Sequence, residues 1–375
     1  MSFLSSTWQF VKRHKGKIFV IGGAVGGYLM LNRYLSEIER KWEKSASKDF
    51  VSEVRKKETH FESTLQTCNS TVRSLTPKII EILDELLDSE AMLKRIESET
   101  DIKKKISMWE ELRVNILCRL ISEVYCLCLF VCYLRTQLTV ISGYMYVDSC
   151  RNGSNSLINQ SIQMKYMSLL TMFYQQGIKA IVAPVEEAVR VAVNDISLKE
   201  KINISKINSL FEKIKAIMSF SFSSPDSHFS RYLMDPEKIA HIMNDPNIDK
   251  DECSSSSTTL TAKESAIIKK MLAETQDILE SNDFKKVLES SIDVGFSVVM
   301  DMIVGCFSSI GAQNGFTNPH STEVAFAKLL PLLNKTLINR KKPDDFLTLV
   351  NHLVCLDVLN CFAANIYEAF CEPNQ

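Results

Sequence analysis

The feature that most constrains the fold is a stretch of forty residues, from Met108 to Val147, that contains no proline and one glycine. A helix of this length is a rod of roughly 60 Å. The residues from Val124 to Leu134 carry no charge, so this part of the rod must be covered on all sides by other helices or by lipid. Lipid is the weaker alternative, because about 20 apolar residues are needed to span a bilayer. The stretch therefore predicts the central, buried helix of a helical bundle.

Composition favours an all-α protein. The chain of 375 residues has 12 glycines, 9 prolines and 45% hydrophobic residues, and strand-like alternation is rare, so we expect a large helical core. The net charge of −1 argues against a nucleic-acid binder. The 11 cysteines show no C-x-x-C motif and no regular spacing, and we interpret them as reduced thiols of a cytosolic domain.

The N-terminal residues have the pattern of a targeting segment followed by a short membrane anchor. Residues 1–17 are basic without an acid, and residues 18–31 are uncharged. We interpret residues 1–17 as the targeting segment and residues 18–32 as the anchor. The uncharged residues 18–31 span only about 21 Å of a hydrocarbon core of about 30 Å. A cleaved signal peptide is the alternative, but no small-residue cleavage site follows. The targeting side chains are Lys12, Arg13, Lys15 and Lys17.

The rest of the chain divides into a stalk and a bundle. Residues 33–57 alternate acid and base and predict a solvated helical stalk. Residues 58–375 predict the cytosolic bundle, in which the serine-rich residues 221–261 form a mobile connection. Further helices are predicted over residues 78–96, 161–193 with a kink or a break at Pro184, 202–220, 262–280, 283–307 with Asn282 or Asp283 as its cap, 321–337, and 344–370 as one or two helices. Loops are predicted over residues 98–105, 150–156 and 308–320.

Two helix starts follow from local capping signals. Pro77, after Thr76, suits the first position of a new helix, because proline lacks the amide hydrogen that is unpaired there in any case. Ser107 followed by Glu110 matches a capping box and predicts the start of the central helix.

No constellation of residues predicts an active site or a metal centre. Cys126, Cys128 and Cys132, with Cys118 upstream, are candidate ligands, but residues two apart on a helix point to different faces and cannot converge on one ion without outside ligands. The six histidines form no H-E-x-x-H motif, and no P-loop, nucleophile elbow or Rossmann fingerprint is present. We therefore predict no enzymatic activity, no cofactor and no metal.

Trp109 is the strongest candidate for a binding residue. It stands at the head of an apolar stripe that continues through Leu112 and Ile116. One interpretation is a half-buried tryptophan that closes the end of the bundle. The other is an anchor in a groove between the central helix and the helix carrying Leu93 and Ile96, which receives an amphipathic helix of a partner.

Six segments resemble, in order and spacing, the peroxisomal biogenesis factor 3 (peroxin-3) family, and the resemblance covers nearly the whole chain. The basic segment Lys12–Lys15 ahead of a glycine-bearing anchor is also similar to that family. The six segments are His60–Ser63, Thr67–Val72, Met108–Leu112, Gly143–Asp148, Ala327–Pro331 and Ala364–Phe370.

The resemblance implies a peroxisomal membrane protein whose cytosolic helical bundle docks peroxisomal biogenesis factor 19, the soluble chaperone and receptor for newly made peroxisomal membrane proteins. It also implies that the basic N-terminus faces the organelle interior, against the positive-inside rule, and that the other contacts are with peroxisomal membrane lipid. The groove residues that it implies are Trp109, Leu112, Lys105, Leu93, Ile96 and Lys328.

A second hypothesis belongs to a different class of protein. The charged stalk and basic patches would also suit a membrane-anchored structural tether that joins the organelle to cytoskeleton or lipid. Such binding would be weakened by salt and indifferent to Trp109.

Overall fold

The computed structural model describes residues 50–150, 158–223, 230–234, 261–313, 318–338 and 343–371. The predicted targeting segment, the anchor and residues 33–49 of the stalk lie outside these ranges. In chain order the elements are α1 (Phe50–Leu86), α2 (Ser89–Ser98), α3 (Ile102–Cys150), α4 (Gln160–Ser168), α5 (Leu170–Met172), a π-helical turn (Phe173–Gly177), α6 (Ile178–Val193), β1 (Lys201–Ile202), α7 (Ile204–Ser223), α8 (Ser230–Leu233), α9 (Ala262–Glu280), α10 (Asn282–Gln313), a 3-10 turn (Pro319–Ser321), β2 (Val324–Ala325), α11 (Phe326–Ile338), α12 (Pro343–Val354) and α13 (Asp357–Cys371).

The described ranges are helical except for loops, turns and one pair of two-residue strands, which confirms the predicted all-α class. The strands β1 and β2 are antiparallel, with Lys201 opposite Ala325 and Ile202 opposite Val324. This short pair fastens the loop before α7 to the start of α11.

Helix α3 is the centre of the bundle. It is 49 residues long, and α1, α6, α10 and α13 pack around it. Its most apolar window is wholly buried, which confirms that protein rather than lipid covers this helix. Because the helix is apolar on all sides in its middle turns, it needs neighbours on all sides.

Length and hydropathy alone would allow two helices of the described ranges to cross a membrane, namely α3 and the part of α10 from Asn282 to Gly311. A third candidate arises if α12 and α13, which are bent by 54° at their junction, count as one span. The two single helices differ in how much of their apolar window is buried inside the protein. The window of α3 is fully buried, whereas that of α10 is 39% buried.

Helices α1 and α3 run antiparallel. The hydroxyl groups of Thr64 and Ser142 lie 2.5 Å apart, and further along α1 the Asp84 carboxylate accepts a hydrogen bond from Arg119 at 2.9 Å. Residue numbers therefore rise along α1 as they fall along α3. Helix α1 has 37 residues and is about 55 Å long, so residue 50 and the start of α3 lie at opposite ends of the bundle.

The predicted start of a helix at Pro77 is wrong, because Pro77 lies inside α1. Leu75, Ile79 and Leu83, on the core-facing side of α1, are buried, and their packing outweighs the hydrogen bond that the proline removes, a loss of about 3 kcal/mol in a helix interior. The chain breaks instead after Leu86, and Asp88 caps α2 by accepting a hydrogen bond from the amide of Ala91. The predicted boundary between the stalk and the bundle lies between residues 57 and 58. Helix α1 continues through this boundary without interruption.

The predicted capping box at Ser107 is also wrong. Helix α3 begins at Ile102, where the Asp101 carboxylate accepts a hydrogen bond from the Lys103 amide at 2.9 Å. Glu110 pairs instead with Arg113 at 2.6 Å. The turn predicted over residues 98–105 therefore shrinks to residues 99–101, and α3 starts six residues earlier than predicted, or about 1.7 turns.

The region predicted as one helix over residues 161–193 consists of several pieces. Pro184 lies within α6, and the irregularities occur earlier, at Leu169 between α4 and α5 and at the π-helical turn. Next to that turn, the segment Ser230–Met234 of the predicted mobile connection is packed with Leu233 and Met234 buried. Apart from this segment, the end of α7 and Thr261, the connection lies outside the described residues.

The C-terminal half follows the predictions more closely. The chain breaks between α9 and α10, where the Ser281 hydroxyl, rather than Asn282 or Asp283, accepts a hydrogen bond from the Phe284 amide. Residues 344–370 were predicted to form one or two helices, and they form two. Helix α10 continues to Gln313 into the predicted loop, and α11 begins at Phe326 rather than after Ser321.

Candidate partner-binding surface

The first turns of α3 lie between α2 and α11, and both of these helices pack on α3. One buried hydrogen bond ties the two flanking helices to each other, since the Ser89 hydroxyl of α2 donates to the side-chain oxygen of Asn334 of α11 at 2.6 Å. The three helices therefore form one assembled surface at the end of the bundle opposite residue 50.

Arg113 joins α3 to the start of α11. Its guanidinium lies 5.9 Å from the centroid of the Phe326 ring, pairs with Glu110 and donates a hydrogen bond to the carbonyl of Ile196. Burial lowers the pKa of Arg113, and the Glu110 carboxylate opposes this effect. These contacts fix the position of Lys328, two residues after Phe326, relative to α3.

The structure brings the six predicted groove residues to this one end of the molecule. Trp109 and Leu93 are partly buried and pack against the core, Lys105 is half-buried and Lys328 is exposed. Ile96 and Leu112 are only 2% and 1% exposed, so they support the surface from beneath.

Two residues of this surface were missed by the sequence analysis. Ile102 and Ile106 are exposed on the first two turns of α3, ahead of the helix start that had been predicted at Ser107. Asp101 was the available signal, because an aspartate before a periodic apolar pattern is a typical helix N-cap.

Two features of the described residues bear on metal binding and on thiol reactivity. The described residues contain no group of three or more His, Cys, Asp or Glu side chains that could hold a metal ion. The thiol of Cys118 on α3 is buried, and burial raises its pKa to about 12. Such a thiol stays protonated at neutral pH and behaves as a small hydrophobic group.

The fold and this surface define a class of protein, namely an all-α bundle around one buried central helix, with a partly apolar surface at that helix's first turns. A sequence model of the Peroxin-3 family matches residues 150–369. The chain belongs to the peroxin-3 family, which confirms the resemblance found in the six segments.

Individual relatives agree with the family match. The chain is 29% identical to Peroxisomal biogenesis factor 3 of Bos taurus over 386 residues, which cover 99% of this chain and 98% of the relative. It is 28% identical to Peroxisomal biogenesis factor 3 of Homo sapiens over 381 residues, which cover 99% of both chains. It is 24% identical to Peroxisome biogenesis protein 3-1 of Arabidopsis thaliana over 362 residues, which cover 90% of both chains.

Family membership gives the chain a role in peroxisome biogenesis. The relatives are named as biogenesis factors and not as enzymes, which fits a protein without catalytic activity. Together with the apolar helices, the family also supports a location at the peroxisomal membrane.

Proposed function

We propose that this protein is a membrane-anchored docking receptor for peroxisomal biogenesis factor 19, and that the surface formed by α2, α3 and α11 receives an amphipathic helix of that partner. The observation that carries the proposal is the state of Trp109, which packs against the core and still presents part of its indole to solvent. Tryptophan is among the residues that most often dominate binding energy at protein interfaces.

The packing beneath Trp109 makes it a preorganised anchor. Ile96 and Leu112 are buried, and Leu93 packs against the same core. A side chain that is already held in place loses little conformational entropy on binding. A partner helix that lays its apolar face over the indole would therefore gain contact area at a small ordering cost.

The charges around this surface suit an acidic partner. Lys105 lies one turn before Trp109 on α3, and Lys328 lies on α11, whose start Arg113 holds against α3. Lysines at the rim of an interface raise the association rate with acidic surfaces and fix the register of binding more than they add affinity. We assign this steering role to Lys105 and Lys328.

The direction of α1 supports a receptor that faces the cytosol. The start of α1 follows the proposed anchor in residues 18–32 and its stalk, and Trp109 lies at the other end of this helix of about 55 Å. The docking surface would then be carried away from the membrane, where a soluble partner can reach it. The cysteines of the described ranges are free thiols, as expected for a reducing compartment.

Calorimetric titration of the full-length chain, held in lipid nanodiscs, with purified peroxisomal biogenesis factor 19 tests the proposal. Trp109→Ala should weaken binding by at least ~2 kcal/mol, or about 30-fold in Kd, because a central anchor is lost. Met164→Ala, which shortens an exposed side chain on α4, is the matched control and should leave Kd unchanged. Unchanged affinity in Trp109→Ala, with an unaltered melting curve, would remove the docking site from this surface.

The same titration separates docking from the tether hypothesis. A tether that uses its charges to hold cytoskeleton or lipid would lose its binding as salt rises and would be indifferent to Trp109→Ala. Docking through an apolar anchor predicts the opposite pair of results, a modest response to salt and a large response to the substitution.

A further inference from the structure

Three arginines of α3 are buried, and they differ in their partners. Arg113 and Arg119 pair with carboxylates, as buried charges usually do. Arg135, which is 1% exposed, instead donates two hydrogen bonds to neutral oxygens. These are the side-chain oxygen of Asn69 at 2.8 Å and the backbone carbonyl of Val354 at 3.3 Å. Arg135 is therefore a buried charge whose bonded acceptors among the described residues carry no opposite charge.

The guanidinium of Arg135 is also incompletely hydrogen-bonded. Both of its hydrogen bonds come from Nη2, whereas Nε and Nη1 are shielded from solvent and have no hydrogen-bond partner in the described chain. A buried donor without an acceptor keeps the full penalty of leaving water, and this penalty is larger for a charged group. The closed bundle therefore has a free-energy cost at Arg135 that hydration of the guanidinium would relieve.

The junction between α12 and α13 is the weakest cover over Arg135. Val354 is the last residue of α12, α13 begins at Asp357, and the two helices are bent by 54° at their junction. The last carbonyls of a helix have no partner within that helix, and the Val354 carbonyl accepts its hydrogen bond from Arg135. The next residue, Cys355, is exposed. A small movement of the junction would thus bring solvent to the guanidinium.

The opposite side of Arg135 is held more firmly. Asn69 lies inside α1, a continuous helix of 37 residues, whereas α12 and α13 have 12 and 15 residues. Cys68, beside Asn69, is fully buried. Short helices that meet at a break open at a lower free energy than a continuous core helix. We therefore expect movement at the junction rather than in α1.

We propose that the junction between α12 and α13 is a built-in opening point of the bundle, where the end of α12 moves away from α3 and Arg135 becomes hydrated. The opening is local, because α3 and α1 keep their packing while the junction moves. This inference goes beyond the docking function and does not depend on it, since about 39 Å of α3 separate Arg135 from Trp109.

The opposite role for Arg135 is a tie that holds the junction closed. A cation beside the last carbonyls of a helix interacts favourably with the helix dipole. The two roles predict opposite effects when the charge of Arg135 is neutralised. Neutralisation should close an opening point, and it should loosen a tie.

Hydrogen exchange of the full-length chain in lipid nanodiscs, read by mass spectrometry, measures the opening. The amides of Leu356 and Leu359, which donate to the carbonyls of Leu353 and Leu356, report on the junction. They should exchange at least about tenfold faster than the amides of residues 124–134 in the middle of α3. Equal protection of the two regions would overturn the proposal.

Asn69→Asp supplies the missing negative charge where Nη2 of Arg135 already donates. It should slow exchange at the junction at least about fivefold, because a paired guanidinium gains less from hydration. The matched control is Asn351→Asp, whose side-chain oxygen also accepts from an arginine, Arg73, but at an exposed site. An exposed pair contributes little, so this control should leave exchange unchanged. Junction exchange in Asn69→Asp within twofold of the parent would overturn the proposal.

The same substitution at two buried arginines gives a second test that does not depend on a new ion pair. Arg135→Met removes the charge and should leave the melting temperature unchanged or raise it. Arg119→Met leaves the carboxylates of Asp84 and Glu123 unpaired and should lower the melting temperature by several degrees. A similar lowering in both variants would show that Arg135 ties the junction closed, and would overturn the proposal.

Discussion

The hydroxyl oxygen of Tyr367 lies 2.5 Å from Nδ1 of His60, and both side chains are buried. This contact joins α1 to α13, the first and last described helices, at the end of the bundle opposite Trp109. Burial lowers the pKa of His60 from 6.5 to about 4. The imidazole is therefore neutral in the folded protein at neutral pH and can share a hydrogen bond with the Tyr367 hydroxyl.

The first prediction is that stability falls on acidification because of His60. Between pH 6.5 and pH 4 the unfolded chain binds a proton that the folded chain excludes, so the free energy of unfolding decreases as pH falls through this window and is undiminished above it. From pH 7.5 to pH 4.5 the loss from this residue should be on the order of 2 kcal/mol. Urea unfolding at both pH values measures it.

His60→Gln is the matched variant, because glutamine keeps a polar side chain at this position and does not titrate. Because only the parent loses stability through titration of His60, the difference in unfolding free energy between parent and variant should be smaller at pH 4.5 than at pH 7.5, or should change sign. A constant difference across the pH range would contradict the assigned titration of His60.

The second prediction concerns the buried guanidinium of Arg113. Arg113→Met removes the partner of Glu110 and the cation above the Phe326 ring, and it should destabilise the protein by roughly 2 kcal/mol, because it leaves a partly buried carboxylate unpaired. Adding Glu110→Gln removes that carboxylate charge and should recover part of the loss.

A double-mutant cycle in urea checks this coupling. The double variant should be more stable than the sum of the two single effects predicts, by at least about 0.5 kcal/mol, since the residues are in contact. Strict additivity would mean that the pairing of Glu110 with Arg113 contributes nothing to stability.

The all-α class and the central helix were predictable because their signals are large. A long stretch without proline and an uncharged middle leave few alternatives to a buried helix, and the structure wraps it with other helices. The helix boundaries depended on weaker signals. A cap contributes about 1 kcal/mol, so tertiary packing overrode the predicted start at Pro77 and the capping box at Ser107.

Part of the candidate surface also has a conspicuous signal in the sequence, and the rest does not. Trp109 could be singled out because a tryptophan at the head of an apolar stripe is conspicuous in sequence, whereas Lys105 was implied by the resemblance to the peroxin-3 family. The burial of Ile96 depends on how α2 packs on α3, which no local pattern specifies. Ile102 and Ile106 were missed because the predicted start of α3 at Ser107 left both residues outside the helix.

The third prediction concerns thiol reactivity. Cys118 and Cys132 lie buried on α3, and burial raises their pKa values to about 12 and about 11. Cys355 and Cys361 are exposed. Because the thiolate is the reactive form, iodoacetamide should label Cys355 and Cys361 in the native protein and reach Cys118 and Cys132 only after denaturation.

Peptide mass spectrometry after timed labelling checks this order. Labelling of Cys118 or Cys132 at a rate similar to that of Cys355, without loss of the native far-UV spectrum, would show that the central helix is less well covered than the structure indicates.

The fourth prediction concerns Gly177, at the end of the π-helical turn. Its backbone is helical, with φ of −59°, so glycine is required here by space rather than by conformation. A Cβ at this position would overlap the carbonyl oxygen of Tyr232, which belongs to the backbone and cannot rotate away. Gly177→Ala should therefore loosen the segment Ser230–Met234 from the core and lower stability by about 1–3 kcal/mol.

Limited trypsin digestion reports this loosening directly, because Arg231 lies within that segment and is exposed. Cleavage after Arg231 requires local unfolding, so Gly177→Ala should accelerate it severalfold while cleavage at other sites changes less. Gly305→Ala is the matched control, since no atom lies within 4 Å of a Cβ there. Alanine in that open helical position should keep or slightly raise stability. Equal rates of cleavage after Arg231 in both variants would show that the close approach of Tyr232 to Gly177 does not hold the segment in place.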